Sequence, residues 1–200
     1  NFIIYDNNVK KICRYKQYFA VKKCMKRILL QDGADTRNGV VWHTQGSGKT
    51  ITMIMLTKMI LRESMKPDSS IKRPRFVMVT DRINLDKQIR DNFIHTQMSP
   101  HRAKTGKGLI ELLKEDGNTV ITALVNKFEA AVKQEYCNDS ENIFVFIDEG
   151  HRTQYGKLNI YMNRVLPNAV KIAFTGTPLM QKKPKNDKRD VMSAKDTYAK

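Results

Sequence analysis

No part of the sequence limits the fold of this chain more than the string GSGKT at residues 46–50. It follows an apolar run at residues 39–43, which predicts a β-strand, and it precedes residues 50–61, whose apolar side chains recur at helical spacing. A glycine-rich turn between a strand and a helix lets backbone N–H groups converge on phosphate oxygens. The segment therefore predicts a phosphate-binding loop within an α/β domain.

The residues of this loop offer different contacts to a nucleotide. Lys49 supplies a full positive charge for the β- and γ-phosphates, and the hydroxyl of Thr50 is placed to bind Mg²⁺. The strict form of the motif begins with glycine, whereas this chain has His43 at that position. The glycine-rich core is intact, so we predict that the loop binds ATP. The predicted ATP-binding residues of the loop are Gln45, Gly46, Ser47, Gly48, Lys49 and Thr50.

A second apolar run, at residues 143–147, predicts a buried strand that ends in two carboxylates. Because the ligands of parallel sheets gather at the carboxyl ends of the strands, these carboxylates are expected near the phosphate loop. Asp148 is predicted to bind Mg²⁺, and Glu149 is predicted to orient or deprotonate the attacking water. An Asp-Glu pair after an apolar run is common by itself, and it gains weight here from the phosphate loop upstream.

A third strand end carries small hydroxyl residues. The run at residues 169–174 is followed by Thr175, Gly176 and Thr177. Such a loop suits a segment that senses the γ-phosphate and shifts with the state of the nucleotide, but the same residues also form plain turns. We predict that these three residues couple the nucleotide to the rest of the molecule.

The remaining pattern alternates strands with helices, which predicts a mostly parallel sheet covered by helices on both faces. The predicted strands are residues 39–43, 75–79, 119–122, 143–147 and 169–174. The predicted helices are residues 17–30, 50–61, 84–94, 109–113 and 127–133. In the first helix, the residues that recur at helical spacing are Tyr18, Val21, Met25 and Ile28.

Composition suggests one domain with a polar end. Residues 1–180 are predicted to form the domain, in which residues 1–37 are an N-terminal extension. Residues 181–200 are polar and lysine-rich, which is typical of a linker. Because no apolar run approaches the ~20 residues of a membrane span and the three cysteines match no disulfide framework, we expect a cytoplasmic protein.

The charge of the chain indicates the class of partner. Lys and Arg number 36 and Asp and Glu number 20, which gives a formal net charge of +16. Such an excess attracts polyanions and speeds association with them. Nucleic acid and an acidic membrane surface are both polyanions, and the charge by itself leaves both open.

Taken in chain order, GSGKT at 46–50, DEGH at 148–151 and TGTP at 175–178 resemble motifs I, II and III of superfamily 2 helicases and translocases. A closer resemblance is to the motor (R) subunits of type I restriction-modification enzymes. It is carried by RYKQY at 14–18, VVWHTQGSGKT at 40–50, VTDR at 79–82 and DEGHRTQYG at 148–156, and it spans nearly all of residues 2–180.

This resemblance implies a RecA-like P-loop NTPase domain that hydrolyses ATP with Mg²⁺ and moves along duplex DNA. A membrane is not expected among its partners. It also implies specificity and methyltransferase subunits as partners, and a nuclease domain and a second motor domain beyond this chain. By the same resemblance, Gln17 is expected to recognise adenine and His151 to couple to the second motor domain. The residues that match stretches along the DNA track are Thr80, Arg82, Thr122 and Lys127.

Alternative interpretations remain open at this point. A DEAH-type RNA or DNA helicase would share the three central motifs, and a non-catalytic nucleic-acid-binding module would need only the basic surface and a vestigial nucleotide loop. The presence of both Asp148 and Glu149 speaks against the second alternative. Gln17 is also explained as a polar residue at a helix start, and the four DNA-track residues as caps or plain surface charge.

Overall fold

The computed structural model of the chain describes residues 2–30, 34–44, 46–115, 117, 119–148 and 155–176. The predicted site residues Gln45, Glu149, His151 and Thr177 lie outside these ranges, as does the predicted linker at 181–200. Within these ranges, none of the helices is long and apolar enough to cross a lipid bilayer.

Strands form two separate sheets in the described residues. The strands are β1 (Ile3–Asp6), β2 (Val9–Ile12), β3 (Gly39–Trp42), β4 (Arg75–Thr80), β5 (His101–Ala103), β6 (Val120–Leu124), β7 (Ile143–Asp148) and β8 (Val170–Thr175). β1 and β2 form an antiparallel hairpin, and the other six form one sheet in the order β3-β8-β7-β4-β6-β5, in which every neighbouring pair is parallel. This confirms the predicted α/β class with a mostly parallel sheet.

Helices cover both faces of the six-stranded sheet, as predicted. The helices are α1 (Tyr15–Ile28), α2 (Ala34–Arg37), α3 (Lys49–Ser64), α4 (Ile83–His95), α5 (Gly106–Lys114), α6 (Val125–Val132) and α7 (Tyr155–Val165). Alternate residues of each central strand point to opposite faces. On β4, Phe76 packs into a core with α1, α3 and α4, whereas Val77 packs into a second core with α5, α6 and α7.

The order of the strands positions the site. After β3 at one edge, the chain crosses to β4, continues to β5 at the opposite edge and pairs β6 between them. It then returns, and β7 and β8 fill the gap between β4 and β3. The strand that carries the phosphate loop and the strand that ends in Asp148 are thereby separated only by β8.

The N-terminal segment differs from its prediction in one detail. α1 packs on α3 through a buried face of Gln17, Val21, Met25 and Ile28, whereas Tyr18 is 36% exposed and contacts the ring of Phe2. The buried face therefore begins one residue earlier than the apolar pattern predicts. A polar side chain occupies that buried position because its amide is fully engaged in hydrogen bonds at the site described below.

Several elements were missed by the sequence pattern. The β1–β2 hairpin, α2 and β5 are four residues or fewer per element, too short for a periodic signal. α7 did leave a signal, since Leu158, Met162 and Val165 recur at helical spacing and are buried in the second core. The helix begins at Tyr155, inside the motif string at residues 148–156, and a motif string does not mark where a helix begins.

Candidate nucleotide-binding site

The predicted phosphate loop joins β3 to α3, as the motif requires. Gly46 and Gly48 have φ angles of 76° and 82°, in the left-handed region that residues other than glycine rarely adopt. Gly48 precedes α3, so the free backbone N–H groups of the first helical turn and the positive end of the helix dipole face the loop. A Cβ atom added to Gly48 would lie only 2.6 Å from Nε2 of Gln17.

Gln17 connects the start of α1 to this loop. Its Oε1 accepts a hydrogen bond from the backbone N–H of Arg14 at 2.9 Å, which caps the helix. Its Nε2 donates to the carbonyl oxygens of Ser47 and Gly48, each at 3.3 Å. The side chain is 4% exposed. Gln17 is therefore a polar residue at a helix start, as one interpretation had it, and the same amide also holds the loop. Its contact with adenine stays a prediction.

The loop residues offer the ligands that a magnesium–triphosphate needs. Lys49 and Thr50 are half-buried in the first turn of α3. The hydroxyl oxygen of Ser47 is buried and has no hydrogen-bond partner among the described residues. A buried polar atom without a partner costs free energy, and a phosphate oxygen would satisfy it. The residues present therefore fit a bound nucleotide.

Asp148 lies at the same edge of the sheet as the loop. It is the last residue of β7 and pairs with Phe174 of β8, while Trp42 of β3 pairs with Thr175 one residue further along β8. Neighbouring strands are about 4.8 Å apart, so the ends of β3 and β7 lie about 10 Å from each other. A bound nucleotide and its metal ion span such a gap, and a carboxylate is a ligand that Mg²⁺ prefers.

The end of β8 is hydrogen-bonded to the strand of the phosphate loop. Thr175 ends β8 and is 2% exposed, and Gly176 follows it. The backbone N–H of His43 donates to the carbonyl oxygen of Thr175 at 2.9 Å, and the indole Nε1 of Trp42 donates to the carbonyl oxygen of Gly176 at 2.9 Å. Sequence reasoning did not single out Trp42, because its contact depends on the adjacency of β3 and β8.

His43, which replaces the usual first glycine, is a buried imidazole beside the loop. It is 8% exposed, and its Nδ1 has no hydrogen-bond partner among the described residues. Burial lowers the pKa of His43 below 6.5, the positive charges of Lys49 and Lys16 lower it further, and a hydrogen bond with the backbone of Lys16 acts in the opposite direction. We therefore expect a neutral His43 at neutral pH.

This burial predicts an acid-sensitive stability. Because the unfolded chain takes up the His43 proton more readily than the folded chain, stability is lost as the pH falls below 6.5, and the loss ends below the lowered pKa of the folded state. His43→Asn should make the melting temperature less dependent on pH between about pH 7 and 5. His101→Asn, at an exposed position of β5, is the matched control. An unchanged pH dependence in His43→Asn would contradict the expectation.

The four predicted DNA-track residues fall into two groups. Thr80 and Thr122 are each 1% exposed; Thr80 donates to the carbonyl oxygen of Arg82 at 3.4 Å, and the hydroxyl of Thr122 has no partner among the described residues. Arg82 is exposed just before α4, and Lys127 is half-buried in the first turn of α6. Of the four side chains, only the latter two therefore reach a surface that DNA could contact.

Comparison with known protein families identifies the type of domain. The family model of the SWI2/SNF2 ATPase matches residues 16–199. The chain belongs to the SWI2/SNF2 ATPase family. Membership of this family implies the use of a nucleotide, in agreement with the phosphate loop of this SWI2/SNF2 domain.

Relatives of this SWI2/SNF2 chain include endonuclease subunits of type I restriction enzymes, which confirms the predicted resemblance. The HindI endonuclease subunit of Haemophilus influenzae is 32% identical over 206 residues, covering 89% of this chain and 19% of that protein. The MjaIXP endonuclease subunit of Methanocaldococcus jannaschii, provisionally named as a type I enzyme, is 35% identical over 187 residues, covering 90% of this chain and 17% of that protein. The chain thus spans about a fifth of the length of these curated relatives.

Solved structures share the fold of this SWI2/SNF2 domain. The ATPase core of a Sulfolobus solfataricus SWI2/SNF2 protein in complex with double-stranded DNA has a TM-score of 0.61 at 16% identity, covering 89% of this chain and 34% of that chain. A nuclease-deletion mutant of the type ISP restriction-modification enzyme LlaGI has a TM-score of 0.60 at 16% identity, covering 89% of this chain and 19% of that chain. The predicted RecA-like fold is therefore confirmed.

Proposed function

We propose that this chain is the nucleotide-binding motor domain of a type I restriction endonuclease subunit, and that it hydrolyses ATP with Mg²⁺ to translocate duplex DNA before cleavage. The observation that carries the proposal is the position of the phosphate loop and Asp148 at one edge of the sheet, with only β8 between their strands. Ligands of parallel sheets bind at the carboxyl ends of the strands, which is the edge where both lie.

The proposed roles of the residues follow from their chemistry. Lys49 holds the β- and γ-phosphates, the hydroxyl of Thr50 and the carboxylate of Asp148 hold Mg²⁺, and Glu149 orients the attacking water. When bound, Mg²⁺ neutralises charge that develops on the phosphate oxygens. Thr175, Gly176 and Thr177 transmit the state of the nucleotide, and His151 couples this domain to the second motor domain.

Duplex DNA is the proposed track. Two observations support it: the net charge of +16, which favours a polyanionic partner, and the fold shared with a SWI2/SNF2 core in complex with double-stranded DNA. Arg82 and Lys127 follow the neighbouring strands β4 and β6 at the carboxyl edge, and we propose that they contact phosphates of the DNA. As the sequence resemblance implies, we propose that the protein acts in the cytoplasm with specificity and methyltransferase subunits.

The choice of nucleic acid tests this proposal against an RNA helicase. In a polypeptide that joins this chain to a second motor domain, linear duplex DNA is expected to stimulate ATP hydrolysis, because translocation on DNA couples to closure of the two domains. Duplex RNA of the same sequence is the matched control. Equal or stronger stimulation by the RNA would overturn the DNA translocase in favour of the helicase.

Gln17 provides a prediction that separates loop anchoring from adenine recognition. Gln17→Ala removes two hydrogen bonds to the loop, each worth about 1 kcal/mol, so affinity for ATP should fall about tenfold or more. If the amide acts by holding Ser47 and Gly48, affinity for GTP falls by the same factor. If it also recognises adenine, the affinity for ATP falls by a larger factor than the affinity for GTP.

A conservative variant sharpens this test. Gln17→Glu keeps an oxygen that accepts from Arg14, but it loses the Nε2 donor and places a negative charge beside the phosphates. It should therefore bind both nucleotides more weakly than Gln17→Ala does. Gln88→Ala, on the exposed face of α4, is the matched control and should bind both nucleotides as the wild type does. Affinities are measured by displacement of a fluorescent nucleotide.

A further inference from the structure

Trp42, the single tryptophan of the chain, reaches from the strand of the phosphate loop to Gly176, the residue after β8. Its indole Nε1 donates to the carbonyl oxygen of Gly176 at 2.9 Å, while the next backbone N–H, that of His43, donates to the carbonyl oxygen of Thr175 at the same distance. Two successive residues at the end of β3 therefore hold two successive residues at the end of β8.

The two hydrogen bonds differ in what they connect. The bond from His43 continues the parallel ladder, in which Trp42 pairs with Thr175. The bond from the indole reaches Gly176, which lies beyond the last residue of β8. The side chain of Trp42 thus contacts the residue that directly follows β8. The ladder fixes the strands, whereas the indole bond can change without disturbing the strand pairing.

We propose that Trp42 is a positioning residue that transmits the state of the nucleotide from the phosphate loop to Gly176 through its indole hydrogen bond. The inference rests on the proposed function, since it requires ATP at the loop. Trp42 is four positions before Gly46, so a movement of the loop when phosphate binds reaches the indole of Trp42 through the short segment between them, while the ladder between β3 and β8 stays paired. The side chain is 36% exposed, so it is not locked in the core and can move.

Exposure of the indole also makes it a reporter. Because no other tryptophan emits in this chain, its fluorescence reports the surroundings of Trp42 alone. We expect different emission spectra when the wild-type chain is saturated with a non-hydrolysable Mg-ATP analogue and when it is saturated with Mg-ADP. Identical spectra in the two saturated states would overturn the inference.

Substitution of the indole tests the bond itself. Trp42→Phe keeps an aromatic ring but removes the N–H donor. Hydrogen exchange of residues 170–176, measured by mass spectrometry, should slow in the wild type when the Mg-ATP analogue binds. In Trp42→Phe this nucleotide-dependent protection should fall about fivefold, as expected for the loss of one hydrogen bond. The affinity for the analogue should stay within about threefold of the wild type.

Val40→Ala is the matched control, because Val40 lies on the same face of β3 two residues earlier and is 45% exposed. It should keep the protection of the wild type. Full nucleotide-dependent protection in Trp42→Phe would overturn the inference while leaving ATP binding intact. Failure of the wild-type chain to bind the analogue would overturn the proposed function, and this inference with it. If Trp42→Phe does not fold, the two fluorescence spectra of the wild type still decide.

Discussion

Lys49→Ala is expected to reduce the DNA-stimulated hydrolysis of ATP by roughly 10²–10⁴-fold. A charge-assisted hydrogen bond contributes about 1.5–3 kcal/mol, and Lys49 is predicted to make one to the β-phosphate and one to the γ-phosphate. The position of Lys49 in the first turn of α3 supports this, because the backbone N–H groups of the turn face the same phosphates. Turnover is measured in a polypeptide that joins this chain to a second motor domain.

A surface lysine provides the control for this variant. Lys133 lies just after α6, its side chain is 74% exposed, and it pairs with Glu129 at 3.0 Å. Exposed ion pairs contribute little to stability, so Lys133→Ala should hydrolyse ATP at the rate of the wild type. If Lys49→Ala melts at the wild-type temperature and still turns over ATP at a near-normal rate, the phosphate-binding role of the loop is wrong.

Glu149→Gln is expected to bind ATP with the affinity of the wild type and to hydrolyse it about 10²–10⁴-fold more slowly. The substitution preserves size and removes only the basic carboxylate, so contacts of Lys49 with the phosphates are kept. The variant should therefore accumulate bound ATP. Single-turnover hydrolysis of radiolabelled ATP, followed alongside nucleotide binding, measures both quantities in the same protein.

The same measurements, made on this variant and on the wild type, separate an enzyme from a non-catalytic binding module. Glu129→Gln, which changes a half-exposed carboxylate on α6, serves as the matched control and should turn over ATP normally. Wild-type turnover in Glu149→Gln would remove Glu149 from the mechanism. A wild-type protein that binds ATP but shows no turnover with or without DNA would favour the vestigial nucleotide loop instead.

Much of the fold could be predicted because its signals are local. The five predicted strands and five predicted helices are all present, with ends that differ by up to three residues. Apolar runs such as residues 143–147 are buried on both faces, so they predict a strand. They do not predict which strands pair with it. Short elements such as β5 depend on pairing with β6, a contact that no local pattern contains.

The candidate site was predicted unevenly for the same reason. Motif strings located the phosphate loop and Asp148, because a tight glycine turn and a carboxylate at a strand end are recognisable by themselves. They did not reveal that Gln17 holds the loop, nor that Thr122 is buried in the middle of β6. A motif specifies which residue types are present, whereas burial depends on which helices pack over them.

The sequence by itself determined the local chemistry of this protein: a glycine-rich turn typical of phosphate-binding loops, acidic residues after an apolar run, and the alternation of strands with helices. Only the tertiary structure decided that β7 and β8 insert between β3 and β4, which places the end of β7, with Asp148, about 10 Å from the end of β3. The physical reason is that turns and periodicity depend on neighbouring residues, whereas strand order depends on pairing between segments more than a hundred residues apart, such as Trp42 and Thr175.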